Sequence, residues 1–168
     1  MIEILNGQCL SRYLMVKAYI PKLEDLWFRE SMMADPETMS YNAAYGGTIP
    51  FPKEQWERWY DQWVENAGTD RYYRYVLNEQ GSFVGEIAYH LDQKRQIYLA
   101  DVIIHASVRG KGYGKEALEL LCEAARANGI EELYDDIASD NPSWKMFLRH
   151  GFVIDWQDET TAMVKKRL

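Results

Sequence analysis

The chain has 168 residues, enough for one domain that buries most of its unfolded surface without disulfide or metal staples. Its 47% hydrophobic and 14% aromatic content supplies a packed core, while no apolar run approaches the roughly 20 residues of a membrane-spanning helix. A formal net charge of −7 argues against nucleic acid or an anionic membrane as partner, because phosphate-rich surfaces are held by an excess of Lys and Arg. The opening Met1-Ile2-Glu3-Ile4-Leu5-Asn6 has neither a basic n-region nor a long apolar stretch, so a cytoplasmic location is expected. Cys9 and Cys122 match no metal-ligand spacing and are expected to be small buried thiols; no metal site is expected.

Residues 9–20 carry Leu10, Tyr13, Met15, Lys17 and Tyr19 in a loosely alternating, β-rich run, which predicts a first strand closed by Pro21. Over residues 22–34, Leu23, Leu26, Trp27 and Met33 recur near helical spacing until Asp35-Pro36 stops them. Residues 36–52 hold Gly46-Gly47, Pro50 and Pro52 among Tyr41, Tyr45 and Phe51, and read as a long irregular connection offering ring surfaces. In residues 53–66, Trp56, Trp59, Tyr60 and Trp63 fall at i, i+3, i+4 and i+7. One face of that helix is therefore aromatic, a pattern that more often packs a core than binds a ligand.

Three strands follow, at residues 72–77, 83–91 and 96–105, separated by Gln80-Gly81 and by the polar run from Asp92 to Arg95, as in an antiparallel meander. Residues 114–128 form the clearest helix, with Ala117, Leu118, Leu121, Ala124 and Ala125 on one side and Gly129 as its stop. A strand at 132–138, a short helix from Asn141-Pro142 to His150 and a strand pair at 152–156 and 161–166 complete a mixed α/β order.

The segment from Ser107 to Lys115 holds Arg109, Lys111 and Lys115 with no acidic residue, and glycines at 110, 112 and 114. It lies between a strand and a helix start, where unpaired N–H groups and the helix dipole already make the potential positive. Cations added there make sense if an anion occupies the spot, with glycines letting the backbone approach it, so a phosphate or diphosphate ligand is expected. Glu116 follows Lys115 where a P-loop needs Ser or Thr, and the evenly spaced glycines do not fit a dinucleotide fingerprint.

Arg109-Gly110-Lys111-Gly112-Tyr113-Gly114 resembles the pyrophosphate loop, Gln/Arg-x-x-Gly-x-Gly/Ala, of the GNAT (Gcn5-related N-acetyltransferase) superfamily. The resemblance runs from about Val84 to Phe152, taking in Asp101-Val102-Ile103-Ile104 before the loop, Asp140-Asn141-Pro142-Ser143 after it, and the closing Gly151-Phe152. It implies a single domain over residues 1–168, with a mostly antiparallel sheet of about seven strands split in a V and flanked by about four helices. Residues 71–168 would be the acyl-CoA-binding core and residues 1–70 a variable acceptor-side part.

The resemblance also implies an acetyl-CoA-dependent N-acetyltransferase acting on a primary amine of a small molecule or peptide by direct attack on the thioester. Coenzyme A would lie along Val102, Ile103 and Ile104, with its diphosphate on Arg109 to Lys115 and its pantetheine arm near Asn141 and Ser143. An amine with a pKa near 10 needs a base, and Glu86 and Asp101, carboxylates that interrupt apolar strands, are the candidates, Glu86 narrowly preferred for its place beside Gly85. Asp135 and Asp136 add acidity on the next strand, so a cationic acceptor is expected, and one of the two must point inward. The family's usual thiolate acid, a Tyr four residues before the closing Gly, is replaced by Phe147, which leaves Tyr98, Tyr134, water, or departure of the thiolate without an acid. That replacement keeps a second reading open, a non-catalytic acyl-CoA sensor or assembly module. The three histidines, His90, His105 and His150, show no triad or metal spacing, and the Trp56 helix could pair two copies in a homodimer.

Overall fold

The structure, a computed structural model, describes residues 14–168 in full and, of the first thirteen, only the backbone of Ile2–Leu5 and Gln8–Ser11. These two strands, β1 and β2, form an antiparallel pair with Leu5 opposite Gln8. Sequence reading put a first strand at 9–20 and missed this hairpin, although Asn6-Gly7, which lies between the two strands, is the dipeptide that two-residue hairpin turns favour. Residues 12 and 13 of the expected strand lie outside the described residues, and only β3 (Lys17–Tyr19) joins the main sheet.

That sheet has seven strands in the order β3-β4-β5-β6-β7-β9-β8. The meander β4 (Arg71–Leu77), β5 (Phe83–Asp92) and β6 (Ile97–Ile104) is antiparallel throughout. A parallel neighbour needs a crossover, and α3 (Tyr113–Ala127) supplies it between β6 and β7 (Glu132–Ala138). Then α4 (Trp144–Arg149) leads to β8 (Val153–Gln157) and β9 (Thr161–Arg167), which pairs with β7 over its whole length.

On the other side of the sheet the helices are broken. A 3₁₀ turn, Leu23–Leu26, precedes α1 (Trp27–Ala34), and the 53–66 helix divides into a 3₁₀ turn, α2 (Trp56–Tyr60) and a π turn, Asp61–Glu65. Within the stretch read as irregular lies a 3₁₀ helix, Thr38–Tyr45, closed by Gly46 at φ 107°. With three residues per turn it leaves no 3.6-residue signature to read.

Strand alternation divides the core in two. Val84, Ile87, Tyr89, Ala100 and Ile104 pack under α3 and α4 with Leu118, Leu121, Cys122 and Phe147. Tyr73, Tyr75, Ala88 and Ile103 face α1 and α2 with Leu26, Phe28, Met32, Met39, Phe51 and Trp56. The aromatic stripe on α2 is therefore part of the core, with Trp59, Tyr60 and Trp63 half-buried at its margin. The Cys9 side chain lies outside the described residues.

The sheet opens between β6 and β7. These strands pair only at Tyr98 with Leu133 and Leu99 with Tyr134, although β6 runs on to Ile104 and β7 to Ala138. Past that point β6 stays with β5 and β7 with β9, which leaves a V-shaped split whose mouth lies at the loop before α3.

Candidate active site

Between β6 and α3 the chain makes a 3₁₀ turn, Ala106–Val108, and then runs through Arg109 to Gly112, which begins the helix. Gly110 and Gly112 hold φ of 78° and 87°, the left-handed region that costs a side-chain-bearing residue most. At Gly110 an added Cβ would meet nothing within 4 Å, so backbone conformation rather than space calls for glycine there. The first-turn N–H groups of α3 have no partner inside the helix, and no side chain caps them. Lys111 and Lys115 are exposed beside them.

Arg109 does not join the two lysines. Its Nε donates to the Ile104 carbonyl at 3.0 Å, and its two terminal nitrogens donate to the carbonyls of Glu37 at 3.3 Å and Thr38 at 2.8 Å. The guanidinium fork is drawn to a set of carbonyls at the start of the 3₁₀ helix, which a sequence reading of three cations around one anion could not foresee.

His105 N–H donates to the Val84 carbonyl at 2.9 Å, and the antiparallel register then turns the peptide groups of Asp101 and Ile103 toward β5. Those of Val102 and Ile104 face the split instead. The Ile103 side chain is buried against α1 and α2, and the Ile104 side chain under α3. Asp101 shares the α1/α2 face with Ile103, and solvent reaches it along the open split. The surrounding protein and the negative charge of Glu86 push its carboxyl up to about 7, against the opposing pull of Arg29. Asp135 is half-buried and Asp136 exposed; burial and the charges of Asp101 and Asp136 hold Asp135 well above the usual carboxylate range.

Glu86 sits differently. It is 2% exposed, one oxygen paired with Arg29 of α1 and the other accepting from the Tyr73 hydroxyl. Arg29 lies over the rings of Trp59 at 4.6 Å, Phe51 at 5.2 Å and Tyr73 at 5.6 Å. Burial opposes its charge, but Glu86 and Tyr73 outweigh that and raise its pKa. Burial and the Glu86 charge likewise keep the Tyr73 hydroxyl protonated as a donor. Both oxygens of Glu86 are thus engaged, and of the two candidate bases it is Asp101 that solvent reaches.

The phenols expected near a leaving thiolate lie at the closed end of the V. Tyr98 donates to the Thr69 carbonyl at 3.4 Å, and the Tyr134 ring sits under Lys165 at 5.9 Å. Phe147 is a core ring, 4.9 Å edge-on from Phe152. Asn141 turns Oδ1 onto the Ser143 N–H at 3.0 Å, so both shape the start of α4 across the split from the loop. His105 stacks on Phe28, His150 bonds the Met146 carbonyl and His90 is half-buried beside Trp63. Sequence reasoning gave no role to Arg29, Thr38 or Tyr73 and read Tyr41 only as a ring surface in an irregular connection. Tyr41 packs against the α1/α2 core, and burial together with the charges of Asp101 and Glu86 raises its pKa, so it stays protonated near them.

The acetyltransferase (GNAT) family model matches residues 22–152. The chain belongs to that family. The family uses acetyl-CoA as its acyl donor. One relative, named as the uncharacterized N-acetyltransferase YycN of Bacillus subtilis (strain 168), is 31% identical over 96 residues, 55% of this chain. The match spans 58% of that relative's length. Solved structures share the fold: spermidine N-acetyltransferase from Vibrio cholerae in complex with CoA and spermine has a TM-score of 0.74 at 16% identity, covering 91% of this chain and 95% of its own. yncA from Salmonella typhimurium, with its cofactor acetyl-CoA, gives 0.73 at 16%, covering 92% and 95%. An acetyltransferase from Thermus thermophilus gives 0.67 at 21%, covering 92% and 98%.

What this GNAT chain offers a coenzyme fits the group: a left-handed glycine turn, outward N–H groups, two exposed lysines, and an unpaired strand edge running from them into the split. Among the described residues no cluster of metal-ligand type occurs and no helix is long and apolar enough to cross a membrane.

Proposed function

We propose that the protein transfers the acetyl group of acetyl-CoA to a primary amine of a small molecule or peptide, with Asp101 as the base. The observation that carries this is the position of Asp101: a raised carboxyl on the floor of the split, on the strand whose end at Ile104 leads into the cofactor loop. Acetyl-CoA supplies a thioester carbonyl open to attack by an amine. The N–H groups from Gly110 to Lys115, with Lys111 and Lys115, hold the diphosphate; Val102 offers its peptide groups and Ile104 its N–H to the pantetheine arm, the Ile104 carbonyl being taken by Arg109, and Asn141 and Ser143 border its far side. A carboxyl near 7 is matched to its task, since it takes a proton at neutral pH and is ionised often enough to do so. Tyr41, kept protonated, is the donor this reading assigns to the developing charge, since Phe147 has no hydroxyl and Tyr98 and Tyr134 lie at the closed end of the V.

The acceptor is a cationic amine. Arg29 is neutralised by Glu86, which leaves Asp101, Asp135 and Asp136 to set the sign of the acceptor side. The Vibrio cholerae enzyme solved with spermine has the same fold and supports that class.

The test is acetyl-CoA turnover over an amine panel with Asp101→Asn and Glu86→Gln. Asp101→Asn is expected to lower kcat by about 10²- to 10⁴-fold and to recover in part at high pH, where more of the amine is already neutral. Glu86→Gln is expected to lose about 3–5 kcal/mol of stability by leaving Arg29 unpaired, while the folded fraction keeps its pH profile. The reverse pattern returns the base to Glu86. CoA binding without turnover of any amine would support the sensor reading that Phe147 favours.

A further inference from the structure

Thr38 is fully buried, and both its side chain and its backbone reach the turn that precedes the cofactor loop. Its Oγ1 accepts from the Ala106 N–H at 2.9 Å and donates to Asp35, whose carboxylate also accepts the Thr38 N–H at 3.0 Å. Its carbonyl accepts from Arg109 at 2.8 Å, and the neighbouring Glu37 carbonyl from the same guanidinium. At the other end of the 3₁₀ helix, Gly47 N–H donates to the Asn42 carbonyl at 2.9 Å and Asn42 Nδ2 to the Gly47 carbonyl at 2.8 Å. The segment from Thr38 to Gly47 is thus closed on itself at one end and bolted to residues 106–109 at the other. It carries Met39 into the α1/α2 core and packs Tyr41 against that core.

We propose that Thr38 and Arg109 are positioning residues, a clamp through which the cofactor loop sets the order of the acceptor-side segment 38–47. The inference rests on acetyl-CoA binding at Gly110 to Lys115. Coenzyme on the loop fixes the turn 106–109, the clamp passes that constraint to Thr38, and the segment that carries Tyr41 is held more firmly when the donor is in place. By linkage, whatever orders the segment also tightens the coenzyme.

Hydrogen exchange on the full chain with and without CoA reads this directly. In the wild type, CoA is expected to slow exchange at residues 110–116 and, by about fivefold or more, at residues 39–47. Thr38→Val keeps the shape and removes the hydroxyl: protection at 110–116 stays and protection at 39–47 is lost. Thr38→Ser restores it, which separates the hydroxyl's role from packing, and Arg109→Lys, which lacks the three-way fork, keeps only part of it. Full protection of 39–47 in Thr38→Val, or protection confined to 110–116 in the wild type, overturns the clamp. Absence of protection at 110–116 overturns the coenzyme site itself, and the clamp with it.

Discussion

The base role proposed for Asp101 sets two demands against each other: the carboxyl must be reachable, yet the protein around it disfavours its charge. The folded carboxyl titrates at about 7 against an ordinary 3.8, so the folded state binds a proton that the unfolded chain has already released. Below the lower value both forms are protonated and nothing is lost. Between the two, stability falls as pH rises, and above the upper value the full cost of the disfavoured charge is present. Asp101→Asn is therefore expected to leave the thermal midpoint near that of the wild type at about pH 4 and to raise it at about pH 8. Melts at both pH values check this, and an equal shift at both would mean that Asp101 is not held up by its surroundings. Both Glu86 and Asp101 were visible in the sequence as carboxylates interrupting apolar strands. What sets them apart was not visible, because Arg29 reaches Glu86 across 57 residues and no local pattern marks the pair.

Elements whose signal is local were legible. The strand at 132–138 matches β7, and α3 begins one residue before its expected start, because alternation and a long amphipathic face declare themselves within a few turns. Segments held by distant partners were not: the 3₁₀ helix from Thr38 is bolted by an arginine 71 residues away. The cofactor loop belongs to the legible class, since its glycines have backbone reasons. Gly112→Val forces a β-branched residue to φ 87°, which is expected to cost about 1–3 kcal/mol of stability and to weaken CoA binding at least about tenfold. Gly114 is not left-handed, and a Cβ there would sit 3.6 Å from Met146 Sδ and 3.7 Å from Ile104 Cγ1, ordinary contacts. Gly114→Ala should fold with near wild-type stability. Titration calorimetry and a denaturant melt on the two variants separate a strained turn from a general intolerance of side chains in the loop.

Taken whole, the molecule sets a net charge of −7 around a loop that is locally basic, which suits the proposed pair of reactants of opposite sign. A field of this kind draws a cation toward the protein from beyond contact range, while the proposed phosphate site relies on Lys111, Lys115 and the α3 N–H groups at close quarters. Salt acts unequally on the two. Exposed charges more than a Debye length apart are screened, about 10 Å at 0.1 M, whereas N–H groups in contact with phosphate are not. With spermidine as acceptor, raising ionic strength from about 20 to 200 mM is expected to lower kcat/KM by about tenfold, mostly through KM. A monoamine of similar length carries one charge instead of three and should lose far less over the same range. The ratio of the two specificity constants therefore falls with salt if the acidic face selects the acceptor. A ratio that does not change with salt would mean that shape and contact, through the aromatic wall around Arg29, choose the amine and that the protein's charge plays no part.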